Sequence, residues 1–446
     1  KLADHLGFLV IHEAFDECQT GKNKWIAAWN VAKPGKDGYH EYFKDWADED
    51  LKDMMLRNRN RPSIIMWSIG NEVDYPNDPY SDPILNTGRN PQIYGKGYLS
   101  DHPGAKRLGE LSKQLVKVAK DVDTTRPITA ALAGVVMSNT TSYPENLDIV
   151  GYNYQEYRYQ EDHKEFPKRV IYGSENGLSL DAWLAVEDNS FISGQFLWTG
   201  IDYLGEANKW PSRSSGAGLL DLAGNPKPIF YFRKSLWTSK PTISLAVTDA
   251  PVDSTKPKLN YGKLKASWNW ATGKTVQVAS FTNCSTAELF LNGKSLGKKS
   301  QTPEKIIFWD ILYQPGELVV RGFHDGEIVA DTLRSSGKAT QIRTHFYKSK
   351  LQKSTKMAQI ELQLVDEKGI AVGDDDREVS IIVSGAGKLA GLESGSSTSH
   401  EDYKSNKRTT LNGKLLIFVQ SAQKAGLIKV TLTSAGLPTK TINYDQ

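Results

Sequence analysis

Two glutamates follow apolar segments of strand length at equivalent places in the sequence. The segment Ile64–Ile69 leads into Glu72, and the segment Val170–Tyr172 leads into Glu175. Parallel α/β folds place their functional groups at the carboxyl ends of the strands, so both side chains are expected at one rim. A carboxyl pair can cleave a glycosidic bond, because one group protonates the departing oxygen while the other, ionised, meets the positive anomeric carbon.

A glutamate after a strand has a simpler interpretation, in which it caps or salt-bridges the following helix. Glycines near both glutamates weigh against that interpretation. Gly70 and Gly173 let the backbone turn sharply, so that the side chains that follow project into the mouth of the fold. The glycines weaken the capping interpretation, and the residues alone leave both interpretations of Glu72 and Glu175 open.

Four further side chains lie near the predicted strand ends. Glu13 and Asp16 follow the first strand, where they either shape a sugar pocket or only support the rim. Tyr154 follows the fourth strand, and Trp198 ends the sixth, where an aromatic ring can serve as a platform for a sugar. The long segment 73–103 exceeds an ordinary strand-to-helix connection and is predicted to form a pocket loop.

Other chemistries fail on detail. His12 and Glu13 lack the second histidine of a zinc-binding HExxH helix, and the histidines show no ligand spacing, so no metal is expected. The segment Gly173–Gly177 has Glu where a serine hydrolase needs its central Ser. No phosphate-binding glycine loop occurs, so the sequence requires no cofactor.

The elements that position these residues alternate between strand and helix patterns up to residue 238. A helical stripe with apolar side chains every three or four residues lies between two of the strands, at Leu108, Leu111, Leu115, Val118 and Val122. Nearly continuous apolar strands indicate a parallel sheet covered on both faces, as in a doubly wound sheet or a TIM barrel. The predicted strands are Phe8–Ile11, Ile64–Ile69, Ile128–Leu132, Ile149–Tyr152, Val170–Tyr172 and Gly194–Trp198.

After residue 238 the helical period gives way to short alternating strands. Asn292-Gly293 and Asp325-Gly326 each separate two such strands, which is typical of two-residue hairpins. Residues 239–340 and 341–446 each hold enough strands for a β-sandwich. We therefore predict a catalytic α/β domain over 1–238 and two accessory sandwiches over 239–340 and 341–446.

Composition supports an ordinary folded protein and names no partner. The 446 residues are 39% hydrophobic and 24% charged, with a formal net charge of +3, so neither disorder nor nucleic-acid binding is indicated. No apolar run reaches the ~18 residues needed to span a bilayer. The only cysteines, Cys18 and Cys284, form no pairing motif and leave the compartment open. A periplasmic or secreted location is compatible with them.

Several of these segments resemble glycoside hydrolase family 2, which includes β-galactosidases, β-glucuronidases and β-mannosidases. The segment Arg61–Glu72 resembles the acid/base signature of that family, and Phe8–Asp16 resembles its third barrel strand, with His12 where an aspartate is usual. Three later segments look like its sixth, seventh and eighth strands, and another looks like an accessory sandwich: Ile149–Tyr154, Val170–Glu175, Gly194–Trp198 and Ala287–Gly297.

The resemblance implies a role for each matching residue. Glu72 would be the general acid/base and Glu175 the nucleophile of a retaining mechanism. Asn71 would bind the sugar 2-hydroxyl, Tyr154 would contact the nucleophile, and Trp198 would wall the sugar subsite. Glu13 and Asp16, which follow the first predicted strand, are further candidates for substrate binding.

The leading functional prediction is an exo-acting β-galactosidase. β-Glucuronidases of the family hold the sugar carboxylate with an Asn-x-Lys motif, which would fall here near Ser214–Gly216, and Asn208-Lys209 lacks its spacing. β-Glucuronidase or β-mannosidase activity is therefore the second choice. A sugar-binding protein on an inactive hydrolase scaffold is the third, and retention of both Glu72 and Glu175 argues against it.

The resemblance also predicts the fold, a (β/α)8 TIM barrel whose first strands are missing from this chain, followed by two all-β immunoglobulin-like sandwiches. Family members carry two further domains and the first two barrel strands ahead of the segment that matches here. We therefore expect an N-terminal portion of the same polypeptide to supply those strands. A carbohydrate substrate is expected, and a homo-oligomer is compatible with the resemblance.

Overall fold

The protein was analysed as a computed structural model that describes residues 1–23, 38–87, 97–207, 209–250, 261–347, 356–422 and 425–445. The chain divides into two compact units, residues 1–198 and residues 199–446. The first unit contains alternating strands and helices, and the second is mainly antiparallel sheet. The domain boundaries at residues 238 and 340 stay predictions.

A parallel sheet organises the first unit. Its six strands are hydrogen-bonded in sequence order, and every described neighbouring pair is parallel. This confirms the predicted half-barrel. The strands are β1 (Val10–Glu13), β2 (Ile64–Asn71), β3 (Ile128–Leu132), β4 (Val150–Asn153), β5 (Ile171–Asn176) and β6 (Ile192–Leu197).

Helices connect these strands and pack on the sheet. The α-helices of the first unit are α1 (Leu2–Leu6), α2 (His40–Asn58), α3 (Lys106–Val122), α4 (Val135–Ser138), α5 (Tyr159–Glu165) and α6 (Leu180–Glu187). Short 3₁₀ turns occur at Pro83–Thr87, Pro144–Asn146 and Glu156–Arg158. The predicted stripe of α3 is confirmed, because Leu108, Leu111 and Leu115 are buried in the core that also holds the apolar strand residues.

The first strand differs from its prediction. Phe8 and Leu9 are 60% and 66% exposed, and pairing with β2 begins only at Val10, whose N–H donates to the carbonyl of Ser63. Local apolarity predicted these two residues to be in the strand, although they precede its first ladder bond. Among the described residues β1 pairs with β2 alone, so its other edge is unpaired.

The strands that carry the two glutamates are longer than predicted. β2 continues to Asn71, so Glu72 is the first residue after it, and β5 continues to Asn176, so Glu175 lies inside the strand. Both glutamates are therefore at carboxyl ends of strands, as expected.

The second unit holds one helix, α7 (Pro228–Trp237), one 3₁₀ turn (Tyr261–Lys263) and five sheets among its described residues. A two-stranded sheet joins β7 (Tyr203–Leu204) to β8 (Ser214–Ser215). The strands that follow are β9 (Ile243–Thr248), β10 (Thr275–Thr282), β11 (Thr286–Leu291), β12 (Lys294–Ser300), β13 (Ile306–Leu312), β14 (Glu317–His324), β15 (Glu327–Arg334), β16 (Gln341–Tyr347), β17 (Met357–Val365), β18 (Glu378–Gly385), β19 (Gly387–Glu393), β20 (Lys407–Thr409), β21 (Lys414–Ser421), β22 (Leu427–Thr433) and β23 (Lys440–Asp445).

These strands form two sandwiches. Sheets β13-β10-β9 and β12-β11-β14-β15 share one apolar core, and sheets β16-β17-β21-β19 and β20-β18-β22-β23 share another. Both predicted hairpins are confirmed, since Asn292-Gly293 joins β11 to β12 and Asp325-Gly326 joins β14 to β15. All four turn residues have positive φ, which this kind of turn requires and which Asn, Asp and Gly tolerate.

The C-terminal sandwich also contacts the segment that follows β6 within the second unit. Arg213 donates a 2.5 Å hydrogen bond from Nη2 to the hydroxyl of Tyr403, and its guanidinium stacks on the same ring. Nearby, His400 stacks on Trp210 with ring centroids 4.2 Å apart. Residues 210–213 are therefore held by the loop between β19 and β20.

Candidate active site

A β-bulge positions Glu72 at the end of β2. Ser68 pairs with Thr129, whereas Asn71 pairs with Ala131, so β2 contains one extra residue over this stretch. Glu72 follows with a φ of 49°, and its N–H donates to the carbonyl of Ala131 at 2.7 Å. Bulges and left-handed backbone at a non-glycine residue are concentrated at functional sites, where they redirect a side chain.

A second bulge positions Glu175. Tyr152 pairs with Gly173, whereas Asn153 pairs with Glu175, so Ser174 is the extra residue of β5. The backbone of Tyr154 crosses to this strand, because its N–H donates to the carbonyl of Glu175 at 2.8 Å and its φ is 54°. Both glutamates therefore lie beside an irregularity that a regular ladder would not contain.

Asn153 connects the two strand ends. Its Nδ2 donates to Oε1 of Glu72 at 3.2 Å and to Oδ1 of Asn71 at 3.1 Å. Its own Oδ1 accepts a 2.6 Å hydrogen bond from Ser174, the residue before Glu175. Since Asn153 is buried and both ends of its amide are used, its orientation is fixed. Asn153 lies in the segment Ile149–Tyr154 that resembles a barrel strand of the family, but no sequence pattern assigned it a role.

The charge of Glu72 acts on the carboxyl group of Glu175. Burial raises the pKa of Glu72. Burial, followed by the nearby charge of Glu72, raises the pKa of Glu175 to about 8, while hydrogen bonds from Tyr154 and Asn153 oppose this rise. Two interacting carboxyls favour a state in which one is protonated while the other is ionised. A glycosidase pair needs one carboxyl in each state, with the nucleophile ionised.

Asn71 and Asp16 meet at the same rim. Nδ2 of Asn71 donates to Oδ1 of Asp16 at 3.1 Å, so the two candidates are in direct contact. The carboxylate of Glu13 accepts a 2.7 Å hydrogen bond from Ser68, and burial raises the pKa of Glu13. The negative charge of Glu13 also raises the pKa of Glu175. The side chains that belong to one cluster are therefore Asn71, Asp16, Glu13, Ser68 and Glu175. The substrate contacts of Glu13 and Asp16 stay predictions.

The two aromatic candidates are partly open to solvent. The side chains of Tyr154 and Trp198 are both exposed. The backbone N–H of Trp198 donates to the carbonyl of Asn176 at 3.3 Å. Trp198 is thus anchored beside the end of β5, next to Glu175. Its function as a sugar platform stays a prediction.

The space around Gly70 and Gly173, rather than a sharp backbone turn, accounts for glycine at these positions. Neither has positive φ, so the proposed sharp turn is wrong. A Cβ on Gly173 would lie 2.0 Å from Oδ1 of Asn176 and 2.8 Å from the hydroxyl of Tyr159. A Cβ on Gly70 would lie 3.2 Å from Val73. Close approach of neighbouring side chains therefore requires glycine at position 173.

Two charged residues of the site were missed by sequence reasoning. Asp74 is fully buried and accepts hydrogen bonds from the N–H groups of Ala133 and Gly134 and from Ser138. Its charge raises the pKa of Glu72, whereas the buried Lys22 lowers it. Proximity to Glu72 in sequence could have pointed to Asp74, but no pattern singled out Lys22.

Some sequence predictions concern residues that the structure describes only in part. Residues 88–96 of the predicted pocket loop lie outside the described residues, as does Asn208, so the pocket stays a prediction. Within the described part of the chain, no three His, Cys, Asp or Glu side chains are grouped to hold a metal ion. No described helix is both long and apolar enough to cross a membrane.

A sequential parallel sheet with its polar groups at the carboxyl ends of the strands is typical of a barrel-type α/β enzyme scaffold. Comparison with known families identifies which one. "Glycosyl hydrolases family 2, TIM barrel domain" matches residues 1–169, and "Glycoside hydrolase family 2 C-terminal domain 5" matches residues 342–443. A domain of unknown function, DUF4982, matches residues 273–330. The chain belongs to glycoside hydrolase family 2.

Individual relatives agree with this assignment. "Beta-galactosidase BoGH2A" of Bacteroides ovatus is 31% identical over 98% of this chain and 54% of its own length. A crystal structure of a family 2 member from Bacteroides cellulosilyticus matches with a TM-score of 0.81 and 30% identity, over 100% of this chain and 56% of that one. A β-glucuronidase of Bacteroides fragilis is 21% identical over 63% of this chain and 39% of its own length. The chain thus spans about half the length of its first relatives.

Proposed function

We propose that this chain carries the catalytic carboxyl pair of a retaining exo-β-glycosidase. The observation that carries the proposal is the convergence of Glu72 and Glu175 on Asn153, with the pKa of each raised by burial. Family membership supports it, because the resemblance assigns the same two residues. The roles of all other site residues depend on this pair.

In the first half of the reaction, the carboxylate of Glu175 attacks the anomeric carbon and forms a glycosyl ester. The bond from that carbon to the leaving oxygen breaks, and the proton of Glu72 passes to this oxygen. In the second half, Glu72 takes a proton from water as the water oxygen attacks the anomeric carbon. The ester bond then breaks and Glu175 leaves as a carboxylate, so two inversions give net retention.

The surrounding residues have proposed roles in binding. Asn71 lies between Asp16 and Asn153, which fixes its amide for a hydrogen bond to the 2-hydroxyl of the sugar. Tyr154 stabilises the ionised form of Glu175 through its hydrogen bond. Trp198 walls the sugar, and Asp16 is exposed enough to contact it.

A terminal β-linked galactose is the proposed substrate. The support is the 31% identity to a β-galactosidase, against 27% to a "Putative beta-glucuronidase" of Formosa agariphila. Ser214–Gly216, where a glucuronidase would carry Asn-x-Lys, contains no cation. β-Glucuronidase activity remains the second candidate because relatives of that name also match.

The open edge of β1 supports a further partner, an N-terminal portion of the same polypeptide. Exposed Phe8 and Leu9 precede this edge, and a groove of about 560 Å³ beside it is lined by His12 and by residues of α2. The buried Nδ1 of His12 has no hydrogen-bond partner among the described residues. Additional barrel strands would pair with β1 and cover this apolar surface.

Hydrolysis of a panel of aryl β-glycosides by the full-length polypeptide tests the proposal. Aryl β-galactoside, β-glucuronide and β-mannoside are compared at equal concentration, with Glu72→Gln and Glu175→Gln as matched variants. We expect the galactoside to be cleaved fastest and both variants to lose at least about a thousandfold in kcat. Full activity in Glu175→Gln, or no hydrolysis of any glycoside, would reject the proposal.

A further inference from the structure

Lys22 is a buried lysine beside the candidate site that the proposed reaction leaves unexplained. It is 5% exposed, and its N–H donates a 3.0 Å hydrogen bond to Oε2 of Glu17. The other oxygen of Glu17, Oε1, accepts from the N–H of His40 and contacts Nδ1 of its ring. A buried carboxylate therefore fixes the backbone of Lys22, so the position of its side chain is set by the fold.

Among the described residues, the ammonium group of Lys22 has one weak ion pair. Its Nζ lies 3.6 Å from Oδ1 of Asp16, which is longer than a good hydrogen bond, and the side chain of Asp16 is 75% exposed. Solvent screens much of the charge of Asp16. A buried ammonium is costly unless another negative group benefits from it, so the arrangement points to a further carboxyl partner.

The acid/base candidate Glu72 belongs to the same group of side chains. Asp16 accepts a hydrogen bond from Asn71, the residue before Glu72, which links the ion pair to the acid/base candidate. The charged groups that act on the pKa of Glu72 are Lys22, which lowers it, and Asp74 and Asp16, which raise it. Both acidic groups favour the protonated form of Glu72, and the charge of Lys22 opposes them.

We propose that Lys22 is a positioning residue whose ammonium stabilises the carboxylate form of Glu72. This inference rests on the proposed function. Glu72 must hold a proton to protonate the leaving oxygen and must have lost it to accept one from water. Without a nearby cation, burial beside Asp74 and Asp16 would favour the proton on Glu72 through the second half of the reaction.

The test is the pH profile of the full-length polypeptide after Lys22→Met. With 2,4-dinitrophenyl β-galactoside the leaving group needs little protonation, so the second half limits kcat and reports the ionised form of Glu72. We expect the acidic limb of kcat to move up by about one pH unit, with a loss of about tenfold below it. The loss should vanish at alkaline pH, whereas a purely structural defect would lower kcat at every pH.

Three matched variants complete the experiment. Lys22→Arg keeps the charge and should keep the acidic limb in place, and Lys52→Met removes a half-exposed lysine of α2 and should leave the profile unchanged. Lys22→Gln replaces Lys22→Met if the latter does not fold. If the acidic limb of kcat does not move in the charge-removing variant, while Glu72→Gln is impaired, the inference on Lys22 is overturned and the proposed function is not affected. Full activity of Glu72→Gln would reject the proposed function itself.

Discussion

Asn153 and Glu72 are 81 residues apart in sequence and are joined by a 3.2 Å hydrogen bond from Nδ2 to Oε1. The same amide contacts Asn71 and Ser174, so one buried side chain connects the ends of β2, β4 and β5. The relative placement of the two glutamates therefore depends on this amide. The predictions below follow from this relationship and from the packing around it.

Asn153→Ala should lower kcat/KM about 10- to 100-fold. The change removes the amide donor to Glu72 and leaves Ser174 without its acceptor, and a lost hydrogen bond to a charged group costs about 1.5–3 kcal/mol. Kinetics with an aryl β-galactoside measure the effect. Ser174→Ala is the matched control, since it keeps the donor to Glu72 and should lose less; equal losses would contradict the assigned role of Asn153.

Glu175→Gln should make the folded protein more stable than the unmodified protein, and this gain should grow as the pH rises. Since the folded pKa of Glu175 is raised to about 8 from 4.5, the folded state binds this proton more tightly than the unfolded state. Its contribution to stability is present below pH 4.5 and is lost as the pH rises towards 8.

Thermal unfolding at pH 5 and pH 8 checks this consequence. The midpoint of Glu175→Gln should exceed that of the unmodified protein by about 2–4 °C or more at pH 8, with a smaller gain at pH 5. Tyr42→Phe, a change at an exposed side chain of α2, is the control. A midpoint that falls at pH 8 would contradict the burial of an uncompensated charge at position 175.

Gly173→Ala should impair both stability and activity. The added Cβ would lie 2.0 Å from Oδ1 of Asn176, so β5 or Asn176 must shift, at a cost of about 1–3 kcal/mol. Gly194→Ala in β6 is the matched control, because no heavy atom lies within 4 Å of its Cβ position. Thermal unfolding and kcat/KM measure both variants, and equal behaviour would show that Gly173 is not required for space.

Arg408→Ala should destabilise the C-terminal sandwich by about 3–5 kcal/mol. Arg408 is fully buried, and its Nη2 lies 3.6 Å from Oε1 of Glu393, so the change leaves a buried carboxylate without its cation. Arg334→Ala breaks an ion pair with Glu317 that is about half exposed and should cost less than about 1 kcal/mol. Chemical unfolding compares the two variants, and similar losses would contradict the importance of the buried pair.

The strands and their order were predictable because the hydrophobic pattern and the strand-end rule are local signals. Glu72 and Glu175 followed from that rule together with the family resemblance. The bulges were not predictable, because register depends on which backbone groups of two distant segments pair. This is why the role of Asn153 and the reason for Gly173 emerged only from the structure.

Lys22 illustrates a different limit. It lies after β1 in a segment without periodic pattern, and Asp16, the carboxylate paired with its ammonium, is itself only a candidate on sequence grounds. Its proposed effect on Glu72 acts through space between residues 50 positions apart. Phe8 and Leu9 show the converse, since apolar character alone extended the predicted strand beyond its hydrogen bonds.

Trapping the covalent intermediate tests the central claim most directly. A 2-deoxy-2-fluoro β-galactoside with a 2,4-dinitrophenyl leaving group slows both halves of the reaction and lets the glycosyl ester accumulate on the full-length polypeptide. Mass spectrometry of the digested protein should locate the fluorosugar on the peptide that contains Glu175, and Glu175→Gln should remain unlabelled. A label on any other carboxylate, or hydrolysis that persists in Glu175→Gln, would contradict the account.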